Sequence, residues 1–94
     1  MLPTVLRWNH SVNAERQAMV ARALGRSDGN AAESVLDLIR ALGQPSRLQD
    51  VGVRREHFPA IARGAMQNMM VRSNPRPVNA EADINEILEI AWNN

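Results

Sequence analysis

The chain has 94 residues, with eleven arginines, no lysine, no cysteine and a formal net charge of +1. This length predicts a single domain, residues 1–94, near the lower limit for a core that folds without cross-links. The missing residue types exclude disulfides, thiolate metal sites, thiol nucleophiles and Schiff-base lysines. No apolar stretch approaches the length that spans a bilayer, and the N-terminus lacks the basic region of a signal peptide. We therefore expect a cytoplasmic protein with no membrane partner.

The charges are distributed unevenly along the chain. Residues 1–79 hold all eleven arginines and six acidic residues, a net charge of +5, whereas residues 80–94 hold four acidic residues and no base. A basic body followed by an acidic segment favours internal charge complementarity at least as much as a nucleic-acid surface.

The N-terminal part predicts two helical segments. Residues 2–9 are typical of one or two turns at the end of a longer helix. Ser11 or Asn13 is placed to cap the next helix, which is expected to reach about Leu24 before Gly25 ends it in the left-handed conformation. Its small-residue face comprises Ala14, Ala18, Val20, Ala21 and Leu24.

The clearest helical pattern follows. Asn30 and Glu33 have the spacing of an N-terminal capping box, and Gly43 followed by Pro45 is a stop signal. The predicted inner face comprises Ala32, Val35, Leu36, Leu38, Ile39 and Leu42.

A compact connection leads to the next helix. Leu48, Val51 and Val53 are expected to point inward and hold this connection to the core. Pro59 suits a first helical position, so the residues just before it predict a 3₁₀ turn. The expected buried stripe comprises Phe58, Ile61, Ala62, Ala65 and Met66, and the helix is predicted to continue towards Met69 and Met70.

Residues 72–78 form a proline-rich elbow. Pro75 and Pro77 fix their own φ and disfavour helix at the residue before each, so this segment is expected to run extended. Asn79 is predicted to cap a last helix, whose inner face follows helical spacing. That face comprises Ile84, Ile87, Leu88 and Ala91, with Trp92 beside it. The predicted fold class is all-α, a small bundle of four to five helices with short loops.

Few residues offer chemistry. His10 and His57 lie in different segments without a second ligand at i+3 or i+4, so they are interpreted as surface or capping residues rather than as metal ligands. The sequence contains neither the Gly-x-Ser-x-Gly turn of a serine hydrolase nor a phosphate-binding glycine loop. The four acidic residues of the last helix are interpreted as a solvated face rather than a cation site; they are Glu81, Asp83, Glu86 and Glu89.

The sequence offers two binding interpretations to weigh. Residues 30–65 resemble a helix-turn-helix only loosely, because the connection after Gly43 is too long and no recognition helix presents a polar face. We therefore do not expect nucleic-acid binding. Met66, Met69 and Met70 are either an adaptable contact surface or core-filling residues, and we favour the core for Met66.

Five segments together resemble a known family. They are residues 2–9 (LPTVLRWN), 41–48 (ALGQPSRL), 50–53 (DVGV), 58–62 (FPAIA) and 73–78 (SNPRPV). In this order and spacing, from Leu2 to Trp92, they resemble the C-terminal helical portion of the iron-containing alcohol dehydrogenase family, particularly its maleylacetate-reductase-like branch.

The resemblance implies an oxidoreductase acting on alcohols with NAD(P) and divalent iron or zinc. In that family the metal ligands, one Asp and three His, lie upstream of the segment that resembles residues 2–9, and so does the nucleotide-binding domain. Many relatives have Leu-Pro-His where this chain has Leu2-Pro3-Thr4. The resemblance therefore implies no metal, cofactor or catalytic residue in this chain. It implies a remnant of the substrate cleft at Met70 and Asn74.

Two hypotheses follow for the function. In the first, the chain is a fragment or remnant of the dehydrogenase, inactive alone, and its partner is the remainder of the enzyme. In the second, it is a free-standing helical association module that forms homo-oligomers or binds another protein through exposed apolar faces.

Overall fold

The computed structural model describes residues 1–93, and all regular secondary structure in that part is helical. The five α-helices are α1 (Leu2–Ala23), α2 (Ala31–Ala41), α3 (Phe58–Met66), α4 (Met69–Arg72) and α5 (Glu81–Asn93), with 3₁₀ turns at Leu48–Val51 and Arg55–His57. The prediction of a small all-α bundle is confirmed. None of these helices has the length and apolar composition that crossing a membrane requires.

A sharp break at Asn13 divides α1 into two halves. The residue has φ −140° and ψ 31°, far from helical values. The buried amide of Gln17 donates to the carbonyl oxygen of Leu6 at 2.7 Å and to Asn13 Oδ1 at 2.8 Å. Eleven residues of straight helix advance about 16 Å, so these bonds require the second half to turn back at Asn13. The two predicted helical segments are therefore the two halves of α1. Of the two predicted caps, Ser11 and Asn13, it is Asn13 that lies at their junction.

Helix α2 packs on α1 and on no other described helix. Asn30 caps it as predicted, because its Oδ1 accepts from the backbone N–H of Glu33 at 3.0 Å. Ala31, Ala32 and Leu36 are buried. Because α2 and the second half of α1 mainly cover each other, only a narrow side of each is buried. Several residues that were predicted to lie on their inner faces are therefore exposed, and the prediction is wrong for them. The residues that are exposed instead are Ala14, Val20, Leu24, Leu38 and Leu42.

The main core lies between the first half of α1, α3 and α5. Its buried residues are Trp8, Phe58, Ala62, Val78, Ile84, Ile87 and Leu88. Pro59 lies in the first turn of α3 directly after a 3₁₀ turn, as predicted. Leu48 and Val53 pack against this core. The prediction for Val51 is wrong: it is exposed, at the point where Gly52 with φ +83° reverses the chain. Ile61, predicted to be buried, is partly exposed because it lines the groove described below.

The predicted continuous helix from Pro59 towards Met70 is interrupted at Asn68. Helix α3 ends at Met66, which packs against the core. The side chain of Asn68 accepts from the backbone N–H of Met70 at 2.9 Å and so caps the single turn α4. This new turn directs Met69 and Met70 outward, and both are exposed.

The elbow separates α4 from α5. Residues 73–80 contain no helix, whereas Arg72, predicted to begin the elbow, is the last residue of α4. The predicted cap Asn79 lies too far before α5, which begins at Glu81. The first turn is held instead by Asp83, whose Oδ2 accepts from the backbone N–H of Asn79 at 2.9 Å.

The inner face of α5 is as predicted, because Ile84, Ile87, Leu88 and Ala91 are all buried. On its outer side Glu81 and Glu86 are exposed. Glu89 pairs with Arg55, and the distance between Oε2 and Nη2 is 3.1 Å. One acidic residue of α5 therefore compensates a charge of the basic body.

Candidate functional site

One concavity of the fold is a mainly apolar groove of about 320 Å³, here called the apolar groove. It lies between the first half of α1, α3, α4, the elbow and α5, and none of the side chains that line it is charged. Residues lining it include Val5, Trp8, Ile61, Met70, Asn74 and Leu88.

Both residues of the predicted cleft remnant lie on the apolar groove. Met70 stands at its rim on α4 and is 78% exposed, whereas Asn74 lies in the elbow and is half-buried. The fold thus brings together two residues chosen from the family resemblance. Whether they contact a substrate stays a prediction.

The amide of Asn74 is held inside the protein. Its Nδ2 donates to Asn9 Oδ1 at 2.6 Å and to the carbonyl oxygen of Arg76 at 2.7 Å, so both N–H groups are used. Asn9 Nδ2 donates in return to Asn74 Oδ1 at 3.1 Å, and Asn9 Oδ1 also accepts from the backbone N–H of Arg76 at 3.2 Å. The side chain of Asn74 therefore fixes the elbow against α1 and has no N–H left to offer a ligand.

Arg76 attaches the elbow to α1 a second time. Its guanidinium carbon lies 3.6 Å from the centroid of the Trp8 ring, and its Nη1 donates to the Trp8 carbonyl oxygen at 3.1 Å. An arginine stacked on an indole ring gains from cation–π attraction and from packing. These contacts give the elbow-side wall of the apolar groove a fixed shape.

Asn9 was missed as a site residue by sequence reasoning. It is 6% exposed and lies opposite the elbow, 65 residues away from Asn74 in the chain. A single asparagine in a helix has no periodic pattern. The one signal that points to it is its place at the end of residues 2–9, a segment that carries the family resemblance.

A second, polar concavity of about 370 Å³ lies where α2 begins, lined by residues that include Arg7, His10, Gln17 and Asp28. Most of its polar groups already have partners within the fold. Asp28 accepts from the backbone N–H of Asn30 at 2.9 Å and pairs with Arg26, and these bonds hold the pKa of Asp28 below its usual range. Glu33 likewise pairs with Arg7. This concavity is therefore a structural junction of α1 and α2.

The residues that the structure describes do not fit a catalytic metal. Among residues 1–93, no three His, Asp or Glu side chains are grouped closely enough to hold an ion, whereas a catalytic metal normally takes three protein ligands. His57 Nδ1 accepts from the backbone N–H of Arg54 at 3.1 Å, a local capping role. His10 is exposed at the polar concavity.

Comparison with known proteins decides the family. Residues 1–92 match the model of the Fe-containing alcohol dehydrogenase family, C-terminal. The chain belongs to this family. The family predicted from the sequence is confirmed, and its maleylacetate-reductase-like branch stays a prediction. No solved structure matches the chain significantly.

Several curated members of the family are similar to the chain. It is 36% identical to lactaldehyde reductase of Escherichia coli K12, over 98% of this chain and 26% of that protein. It is 40% identical to the probable alcohol dehydrogenase EutG of Salmonella typhimurium, over 81% of this chain and 20% of that protein. It is 37% identical to 1,3-propanediol dehydrogenase of Citrobacter freundii, over 98% of this chain and 26% of that protein. The chain thus spans about a quarter of the length of these relatives.

Proposed function

We propose that this chain is a fragment or remnant of a metal-dependent, NAD(P)-linked alcohol dehydrogenase or carbonyl reductase of the cytoplasm. The proposal rests on the family match over residues 1–92 and on the length of the relatives, of which this chain spans only about a quarter. The chain contributes the C-terminal helical part of the enzyme and is inactive alone.

In the enzyme, this chain forms part of the wall of the substrate cleft and supplies no reacting group. Met70 offers an apolar side chain at the rim of the apolar groove. Asn74 acts on the cleft through its hydrogen bonds to Asn9 and Arg76, which hold the elbow in place. Divalent iron or zinc and the nucleotide are bound by the remainder of the enzyme, because the described residues do not offer ligands for a metal.

A chimera tests this function. The C-terminal quarter of E. coli lactaldehyde reductase is replaced by residues 1–94, and NAD(P)H oxidation with lactaldehyde is measured after loading with Fe²⁺ or Zn²⁺. We expect turnover by the chimera and none by the 94-residue chain under the same conditions. A folded, metal-loaded chimera without turnover would count against the proposed role. Reproducible turnover that co-purifies with the chain alone would overturn its inactivity.

A free-standing association module is the second candidate. The exposed methionines of α4 favour it, since Met69 and Met70 present adaptable apolar side chains to the surface. Sedimentation of the purified chain over a hundredfold concentration range tests it. Self-association would support a homo-oligomer, and a monomer at every concentration would exclude one.

A further inference from the structure

The apolar groove borders the main hydrophobic core. Trp8, Ile84 and Leu88 line it and also belong to the buried core cluster. Its rim is open, because Met70 is exposed and Ile61 partly exposed. Exposed apolar side chains beside a buried core offer a surface on which another polypeptide segment can pack.

We propose that the apolar groove binds the upstream, N-terminal portion of an Fe-containing alcohol dehydrogenase polypeptide. This inference rests on the proposed function and specifies the surface through which the two portions meet. The matched family region is C-terminal and covers 26% of lactaldehyde reductase, so roughly three quarters of such a relative precedes it. The occupant is therefore a large polypeptide that the relatives carry and residues 1–94 do not contain.

The position of the apolar groove fits this occupant. Met1 and Val5, at the N-terminal end of α1, are among its lining residues. In the longer relatives, the polypeptide that enters the segment matching α1 arrives at this rim. The groove and the chain connection therefore lie on the same side of the bundle.

The lining also defines the chemistry of the docking segment. Since no charged side chain lines the apolar groove, the segment that fills it presents an apolar face. The indole N–H of Trp8 is buried and has no acceptor among residues 1–93. Buried donors in proteins are nearly always paired, so a docking segment that brings an oxygen to Trp8 would satisfy this one.

Two adjacent methionines provide a matched test. Met69 and Met70 are 82% and 78% exposed on the same helical turn, but only Met70 lines the apolar groove. The upstream three quarters of E. coli lactaldehyde reductase, carrying an affinity tag, is co-expressed with the full 94-residue chain as wild type, Met69→Glu or Met70→Glu. Circular dichroism of each chain alone checks that the variants fold equally well, which their exposure predicts.

We expect the wild-type chain and Met69→Glu to keep the tagged portion soluble and to co-purify with it at a one-to-one ratio. Met70→Glu is expected to lower the recovered complex at least about tenfold, because docking would bury an unpaired carboxylate against apolar side chains. Failure of the wild-type chain to co-purify, or equal behaviour of the two variants, would overturn the proposal. A wild-type homodimer that Met70→Glu abolishes would also overturn it, because the groove would then belong to a second copy.

This readout is independent of catalysis. Co-purification that depends on Met70 but yields no dehydrogenase activity would support the docking surface and contradict the proposed function. An active complex that is recovered equally well with the wild-type chain and with Met70→Glu would support the proposed function and contradict the docking surface.

Discussion

Asn9 and Asn74 form a reciprocal amide pair that joins the first half of α1 to the elbow. Asn74 Nδ2 donates to Asn9 Oδ1 at 2.6 Å, and Asn9 Nδ2 donates to Asn74 Oδ1 at 3.1 Å. The pair also receives the backbone N–H of Arg76 and donates to its carbonyl oxygen. A proline-rich segment that no helix can stabilise thus obtains its hydrogen bonds from side chains on a distant helix.

Removal of either amide should therefore destabilise the chain. We expect Asn9→Ala and Asn74→Ala each to lower the free energy of unfolding by about 1–3 kcal/mol, since each removes the two bonds between the amides and leaves the other amide only partly paired in a partly buried place. The double variant should lose less than the sum of the two, because the shared bonds can be lost only once. Urea unfolding followed by circular dichroism measures all three. Gln44→Ala, in an exposed loop, is the control, and additive losses would contradict the pairing.

Arg76 and Arg55 allow a comparison of two arginine–tryptophan stacks. Arg76 stacks on the buried Trp8 at 3.6 Å and also donates to its carbonyl oxygen, whereas Arg55 lies 4.1 Å from the centroid of Trp92 with its side chain 56% exposed. Lysine keeps the charge but loses the planar stacking group. We expect Arg76→Lys to cost about 1 kcal/mol in the free energy of unfolding and Arg55→Lys about half of that, because exposed cation–π pairs contribute less.

Urea unfolding of the two lysine variants side by side gives the comparison. Tryptophan emission should also shift in Arg76→Lys, since the ring environment of Trp8 changes. A larger loss for Arg55→Lys than for Arg76→Lys would contradict the attachment of the elbow through Trp8.

We predict that the chain loses stability in acid, because two carboxylates have lowered pKa values in the folded state. The pKa of Asp28 is held below its usual range by the backbone N–H of Asn30 and by Arg26, and the pKa of Asp50 is held low by Arg47. A group whose pKa is lowered by folding stabilises the folded state above its unfolded pKa, and that contribution is lost as the pH falls through the folded pKa. Stability should therefore be level from pH 7 to about pH 5 and decline below about pH 4, the usual range of Asp.

Urea midpoints between pH 2.5 and 7 test this dependence. In Asp28→Asn and Asp50→Asn the decline should be shallower. High salt should bring the Asp50→Asn curve closer to wild type, because the Asp50 carboxylate pairs with Arg47 at the surface. Exposed Asp37→Asn, which loses one bond from Arg26, is expected to have a smaller effect. A wild-type midpoint that rises on acidification would contradict the assignment.

The sequence predicted features that depend on local signals. Pro59 indicated where α3 begins, and Asn30 indicated the cap of α2. The spacing of Ile84 and Leu88 indicated the inner face of α5. Periodicity does not reveal how many neighbours cover a helix, and Leu42 was for this reason wrongly assigned to the interior.

The candidate site was predictable only in part. The family resemblance selected Met70 and Asn74, and both line the apolar groove. It did not reveal that the Asn74 amide is turned towards Asn9, because that contact joins residues 65 positions apart and depends on the tertiary fold. The stack of Arg76 on Trp8 was invisible in the sequence for the same reason.

The break in α1 provides a last prediction, centred on Gln17. This residue is 4% exposed, and its amide joins the two halves of α1 by donating to the Leu6 carbonyl oxygen and to Asn13 Oδ1. We expect Gln17→Met to cost about 1–3 kcal/mol in the free energy of unfolding, since the volume is kept but two half-buried acceptors lose their donor.

Gln17→Glu should be more destabilising at pH 7, because an ionised carboxylate would face two oxygen acceptors in a buried place. Burial would raise the pKa of that carboxyl in the folded state, so the extra destabilisation should disappear as the pH falls and the protonated group donates again. Urea unfolding of wild type, Gln17→Met and Gln17→Glu at pH 7 and pH 5 separates the two effects. Gln17→Glu should recover towards wild type at pH 5 while Gln17→Met does not, and parallel behaviour of the two variants would show that the amide does not hold the break.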